Sequence, residues 1–130
     1  MKPWTLALAA ALCLVSCQEA QVLGLRADLA RAWVATEPIQ CLANPWEQDW
    51  LASHDGDYAS YPKDTAAEIE IIKDYYRRQG VVVFEAVKKG RYQLVCAACT
   101  CPEGHTLYLD VRRQDVAAML SFGYRQESPG

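Results

Sequence analysis

Apolar residues recur along this chain with two periods, and the period changes at Gly80. Before it, Ile69, Ile72 and Tyr76 form one stripe, widened by Ile71 and Tyr75, while Glu70, Lys73, Asp74, Arg77 and Arg78 fall opposite. That spacing predicts an amphipathic helix over 64–79, capped by Asp64 or Thr65, with Glu68 at a compatible place, and stopped by Gly80. A shorter helix is predicted over 45–53. Asn44 is a good N-cap, Pro45 suits the first helical position, and Glu47 stands where its carboxylate can bond back to the cap. Trp46 and Trp50 share one face of it, joined by Leu42 and Leu51.

After Gly80 the pattern becomes that of strands. Residues 81–87 are β-branched and apolar, Lys88-Lys89-Gly90-Arg91 reads as a hairpin turn, and 92–97 reads as the returning strand. Residues 106–111 alternate, with Leu107, Leu109 and Val111 inward. A last helix over 114–121 turns Val116, Met119 and Leu120 to the core and ends at Gly123. Residues 53–62, rich in Ser, His, Asp, Gly and Tyr, read as a loop. Upstream, Val22, Leu25, Leu29, Ala32 and Trp33 suit a helix face over 18–35, although Gly24 opposes it. Residues 35–39 read equally as extended chain, broken by Pro38. If the segment around Trp33 is a strand, it is the fourth. The expected fold is α+β: helices packed on a small antiparallel sheet of three to four strands, stapled by disulfides. The single domain is expected over 37–124, with a disordered tail over 125–130.

The N-terminus changes the picture. Lys2 precedes an apolar run over 5–15 of about eleven residues, roughly half the length of a membrane span. Ser16 and Cys17 follow, which reads as a secretory signal over 1–16. Leu14-Val15-Ser16-Cys17 resembles the lipobox of bacterial lipoproteins. The resemblance implies cleavage before Cys17, lipid attached to Cys17, and a segment over 17–36 leading into the domain. Gln18, in place of Asp, then implies the outer membrane in a diderm organism. The alternative is a plain signal cut after Ala20, leaving a soluble secreted protein. Cleavage before Cys17 removes sixteen residues with one Lys and no acid, leaving 114 residues at formal charge −4. Mild acidity disfavours nucleic acid and electrostatic adhesion to anionic lipid, so membrane attachment rests on the acyl chains.

Four cysteines remain for the folded domain: Cys41, Cys96, Cys99 and Cys101. An even number in an exported domain reads as two disulfides. A Cys99–Cys101 ring strains the bond, so two frameworks remain: Cys41–Cys101 with Cys96–Cys99, or Cys41–Cys99 with Cys96–Cys101. Two chemical readings compete. Cys96-Ala97-Ala98-Cys99 has the spacing of thiol oxidoreductases, yet no helix is predicted after it to lower a thiol pKa. Cys96, Cys99, Cys101 and His105 make a compact Cys₃His set, with Cys41 as a spare ligand. Cys99-Thr100-Cys101-Pro102-Glu103-Gly104 resembles half of an epidermal-growth-factor module, but that module needs more cysteines than this chain supplies.

No nucleophile elbow, phosphate-binding glycine loop or zinc-protease motif occurs, and no cofactor motif is found. His54-Asp55-Gly56-Asp57 resembles part of a calcium loop but lacks the distant bidentate Glu. Glu68 and Glu70 cannot face each other on a helix, and Asp110 with Arg112 or Arg113 reads as a surface ion pair. Tyr58 and Tyr61 are a candidate recognition surface for an envelope protein or glycan. The phrases Ile39-Gln40-Cys41, Asn44-Pro45-Trp46-Glu47 and Leu107-Tyr108-Leu109 resemble those of small exported bacterial proteins and imply no activity. The expected function is a lipid-anchored, non-catalytic binding domain of the cell envelope. The rival is a thiol-redox or metal-binding protein.

Overall fold

A computed structural model of the protein describes residues 30–90, 92–93 and 96–130. The signal, the lipobox with Cys17, and the apolar positions Val22, Leu25 and Leu29 lie outside the described residues. One compact unit runs from Arg31 to Gly130. Its elements are β1 (Arg31–Thr36), α1 (Pro45–Ser53), α2 (Thr65–Arg78), β2 (Val83–Lys89), β3 (Thr106–Arg112), α3 (Val116–Ser121) and β4 (Arg125–Gln126). The strands form one antiparallel sheet in the order β2-β3-β1-β4, so the fold is α+β as expected.

The helices form where their periods and caps place them. Glu47 accepts the Asn44 N–H at 2.8 Å, closing the first turn of α1. Asp64 caps α2 through the Ala67 N–H at 3.0 Å, and Gly80 ends it at φ +83°, a conformation that costs a side chain dearly. Ile72 and Tyr76 of α2 and Trp46 of α1 pack with Met119 of α3 onto Val34, Ala86, Leu107, Leu109 and Val111 of the sheet. Arg78 ties α2 to α1 through Asp49 at 2.6 Å.

Four expectations need correction. Residues 31–36 are the fourth strand, the second of the two readings open for this segment, and they belong to the same compact unit as the domain that was expected to start at 37. β1 is a central strand, and Val34 and Ala35 are both fully buried. A strand covered on both faces loses its alternation and reads as a plain apolar run. Second, Tyr92, Gln93, Cys96 and Ala97 are not in a strand. β2 pairs with β3 instead, and Lys88 and Lys89 belong to β2 rather than to a turn. The described residues between Gly90 and His105 form a lobe, held at its neck by the Tyr92 N–H on the Gly104 carbonyl at 3.0 Å.

Third, the tail is ordered at its start. β4 pairs with β1, and the Glu127 N–H reaches the Trp33 carbonyl at 3.2 Å. Buried Tyr124, whose hydroxyl meets that of Tyr76 at 2.8 Å, anchors it. Fourth, Asp110 is 5% exposed, so it is a buried group and not a surface one, and it pairs with Arg31. Trp33 stands opposite Asp110 in the register, so Arg31 is its diagonal neighbour across the sheet. Arg112 instead forks onto Asp115 at 2.7 and 2.9 Å.

Replacing Leu109, fully buried at the centre of β3, by Ala should destabilise the domain by about 2–5 kcal/mol, whereas Glu70→Ala on the open face of α2 should stay within about 0.5 kcal/mol. Urea denaturation of both variants checks this; equal effects would place the core elsewhere.

Candidate functional site

The chain leaving β1 runs beside the chain entering β3, and the cysteines lock the two together. Ile39 bridges Pro102; the Gln40 N–H donates to the Cys101 carbonyl at 2.9 Å, and the Glu103 N–H to the Pro38 carbonyl at 2.8 Å. Cys41 is bonded to Cys99 and Cys96 to Cys101, with Cα separations of 5.1 and 6.0 Å. The structure thus selects the second of the two frameworks. Cys41 and Leu42 sit at φ +65° and +51°, so two successive side-chain-bearing residues adopt the left-handed region where the chain swings into α1.

Asn44 organises this corner. Its side chain accepts from the Ile39 N–H at 2.9 Å and donates to the Ile39 carbonyl at 2.9 Å and to Glu47 Oε2 at 2.8 Å. Glu47 is 1% exposed. Burial pushes its carboxyl up to about 7, against the pull of the two Asn44 hydrogen bonds and with smaller upward pushes from Glu103 and Glu68. Glu68 forms a close, largely buried ion pair with Lys88. Tyr61 lies beside Glu68, and burial holds its phenol well above the ordinary range.

Outside this cluster opens a groove of about 570 Å³, lined by Thr65, Lys88, Gly90, Tyr92, Glu103, Gly104 and His105. Burial raises the Glu103 carboxyl, with Lys88 opposing and Glu68 adding to the rise. Burial, then Lys88, keeps the His105 imidazole below its usual value, with Glu68 opposing. Glu103 and His105 approach to 3.7 Å, beyond hydrogen-bond distance. The groove offers an ammonium already matched by Glu68, a carboxylate, a neutral imidazole, a hydroxyl and the exposed Tyr92 ring. Such a set suits binding a small polar group.

The sequence-predicted residues divide as follows. The four sulfurs are taken up in pairs, and the two ends of Cys96-x-x-Cys99 belong to different disulfides, so neither a C-x-x-C redox pair nor the Cys₃His set with His105 is formed. Among the described residues no group of three or more His, Cys, Asp or Glu side chains is placed to hold a metal ion. Tyr58 is 60% exposed, but Tyr61 is buried at 7%, edge-on to Trp50, so the two tyrosines do not make one surface. His54 stacks on Trp50 at 3.7 Å, and Asp57 caps the turn Tyr58–Ser60 rather than a cation. The cluster of Glu47, Glu68, Lys88 and Glu103 was not anticipated. One signal was present: Glu68 precedes Ile72 by four and so lies on the apolar stripe of α2.

Disulfides in a domain of this size belong to an oxidising compartment outside the cytosol. Among the described residues no helix is long and apolar enough to cross a membrane. Comparison with protein-family models, curated proteins and solved structures finds no significant match.

Two outcomes follow from this geometry. The raised Glu47 carboxyl favours the protonated, folded state, so its stabilising contribution is complete below pH 4.5 and is lost as pH rises through about 7. Glu47→Gln keeps an acceptor for Asn44 and should remove most of a pH-dependent loss of up to about 3 kcal/mol, measured by urea denaturation at pH 5 and pH 8. An unchanged slope would assign the loss to another group. Removing the bond of separation 58 by Cys41→Ala with Cys99→Ala should cost about 4 kcal/mol on the chain-entropy model, against about 2 kcal/mol for the bond of separation 5. Thermal denaturation of the two double variants gives the order; a reversed order would refute it.

Proposed function

We propose that the protein is an exported lipoprotein, held in the cell envelope by acyl chains on Cys17, whose domain is a non-catalytic binding module. The observation that carries this reading is the complete pairing of Cys41, Cys96, Cys99 and Cys101 with one another. It leaves Cys17, at the lipobox position, as the cysteine available for acylation once the signal and Cys13 are removed. Two or more buried acyl chains anchor a protein stably at about 0.8 kcal/mol per CH₂, without any spanning helix. Gln18 supports an outer-membrane address in a diderm organism. The groove between Lys88, Tyr92, Glu103 and His105 supports binding of an envelope protein or glycan that presents a polar group.

Mass spectrometry of the native protein from the membrane fraction tests the whole reading. The expected result is an N-terminal peptide starting at acylated Cys17, and a gain of four hydrogens on reduction, two for each disulfide. Recovery from the cytosol with Met1 retained and four alkylatable thiols in the domain would overturn it.

A further inference from the structure

The sheet ends at β2, and among the described residues nothing pairs with its outer edge. That edge is a row of backbone N–H and C=O groups along an apolar, β-branched stretch, with Val82 and Phe84 38% and 39% exposed at its start. Such an edge is a template for one more strand unless something blocks it. Charge and bulges are the usual blocks; the register shift of β2 falls between Val83 and Glu85, ahead of the regular stretch 85–89, and β2 has three charged side chains after Phe84: Glu85, Lys88 and Lys89. Lys88 is removed from the count, because its ammonium is turned to the helical side, onto Glu68.

Glu85 and Lys89 remain, both exposed, and their spacing decides what the edge accepts. They stand opposite Asp110 and Thr106 in the register, with Val87 between them opposite Tyr108. All three lie on the face away from Leu107, Leu109 and Val111, because strand residues alternate. If the edge meets a second copy of itself antiparallel, about a two-fold axis at Val87, each Glu85 falls opposite Lys89 of the other copy. Val87 then meets Val87, and the ion pair is made twice. An axis at Ala86 instead sets Glu85 against Val87 and carries Lys89 past Glu85 to the register shift beside Val83, where neither charge is answered. Lys89 donates to the Gly130 carbonyl within its own chain, and its ammonium has two further protons for a partner.

We infer that the protein self-associates through β2 as a two-fold dimer with one continuous eight-stranded sheet. The backbone ladder and the apolar contacts supply affinity, as in other strand additions. The reciprocal Glu85–Lys89 pairs supply the register, since exposed pairs contribute little energy but like charges directly opposite repel. A two-fold interface doubles every substitution, which makes charge reversal a sensitive probe.

The test is sedimentation equilibrium of the full, oxidised protein in density-matched detergent, comparing wild type with Glu85→Lys, Lys89→Glu and the combined exchange. Both positions are exposed, so circular dichroism should show all four proteins folded alike. The expected result is a wild-type dimer, an association constant about tenfold or more lower in each single variant, and recovery in the double exchange. A wild-type protein that stays monomeric to about 100 µM would overturn the inference and leave the edge to a strand from another protein. Equal dimerisation of all four proteins, or failure of the double exchange to recover, would overturn it as well.

Discussion

The bond between Cys41 and Cys99 fixes how the segment after β1 meets the lobe before β3. Without it, the segment after β1 and the lobe before β3 are held by a few backbone contacts around Ile39, Gln40 and Pro102. With it, Asn44 and Glu47 at the head of α1 are pinned against the chain that enters β3. The bond acts chiefly by narrowing the unfolded ensemble, and this matters most in a domain whose core is modest. It also explains why left-handed backbone at Cys41 and Leu42 persists: the closure over-determines the turn.

Behind that corner, the packing gathers carboxylates around one ammonium. Glu47, Glu68 and Glu103 influence one another, and only Glu68 has the Lys88 ammonium in direct contact. Removing carboxylates from water costs more than neutral hydrogen bonds return, so Glu47 and Glu103 both hold their protons more tightly than usual. Of the two, Glu103 lines the groove, so burial gives that wall a carboxyl that takes up a proton more readily than an exposed one.

Local signals were legible in the sequence, and those set by distant partners were not. Asn44-Pro45 with Glu47, Asp64 and Gly80 announce α1 and α2 because caps and stops act within a few residues. β1 was obscured because Val34 and Ala35, which point to opposite faces, are both fully buried, and this erases the period that marks a strand. Residues 92–97 carry a strand-like pattern, yet disulfides at Cys96 and Cys99 tie the lobe to Cys101 and Cys41. The even set of cysteines pointed to two bridges, and strain excluded one pairing; choosing between the other two needed the fold. The buried carboxylates stayed hidden for the same reason: Glu68 is matched by Lys88 from β2, and Glu103 arrives from the lobe.

The position of β1 in the sheet also orders events in time. Ribosomes deliver a chain from its N-terminus, so Val34 emerges long before Leu109 and Gln126, its neighbours on either side. Contacts this distant in sequence close slowly. The sheet is complete on both sides of β1 only once Arg125 and Gln126 have been made, so its central strand waits for partners that lie more than seventy residues downstream.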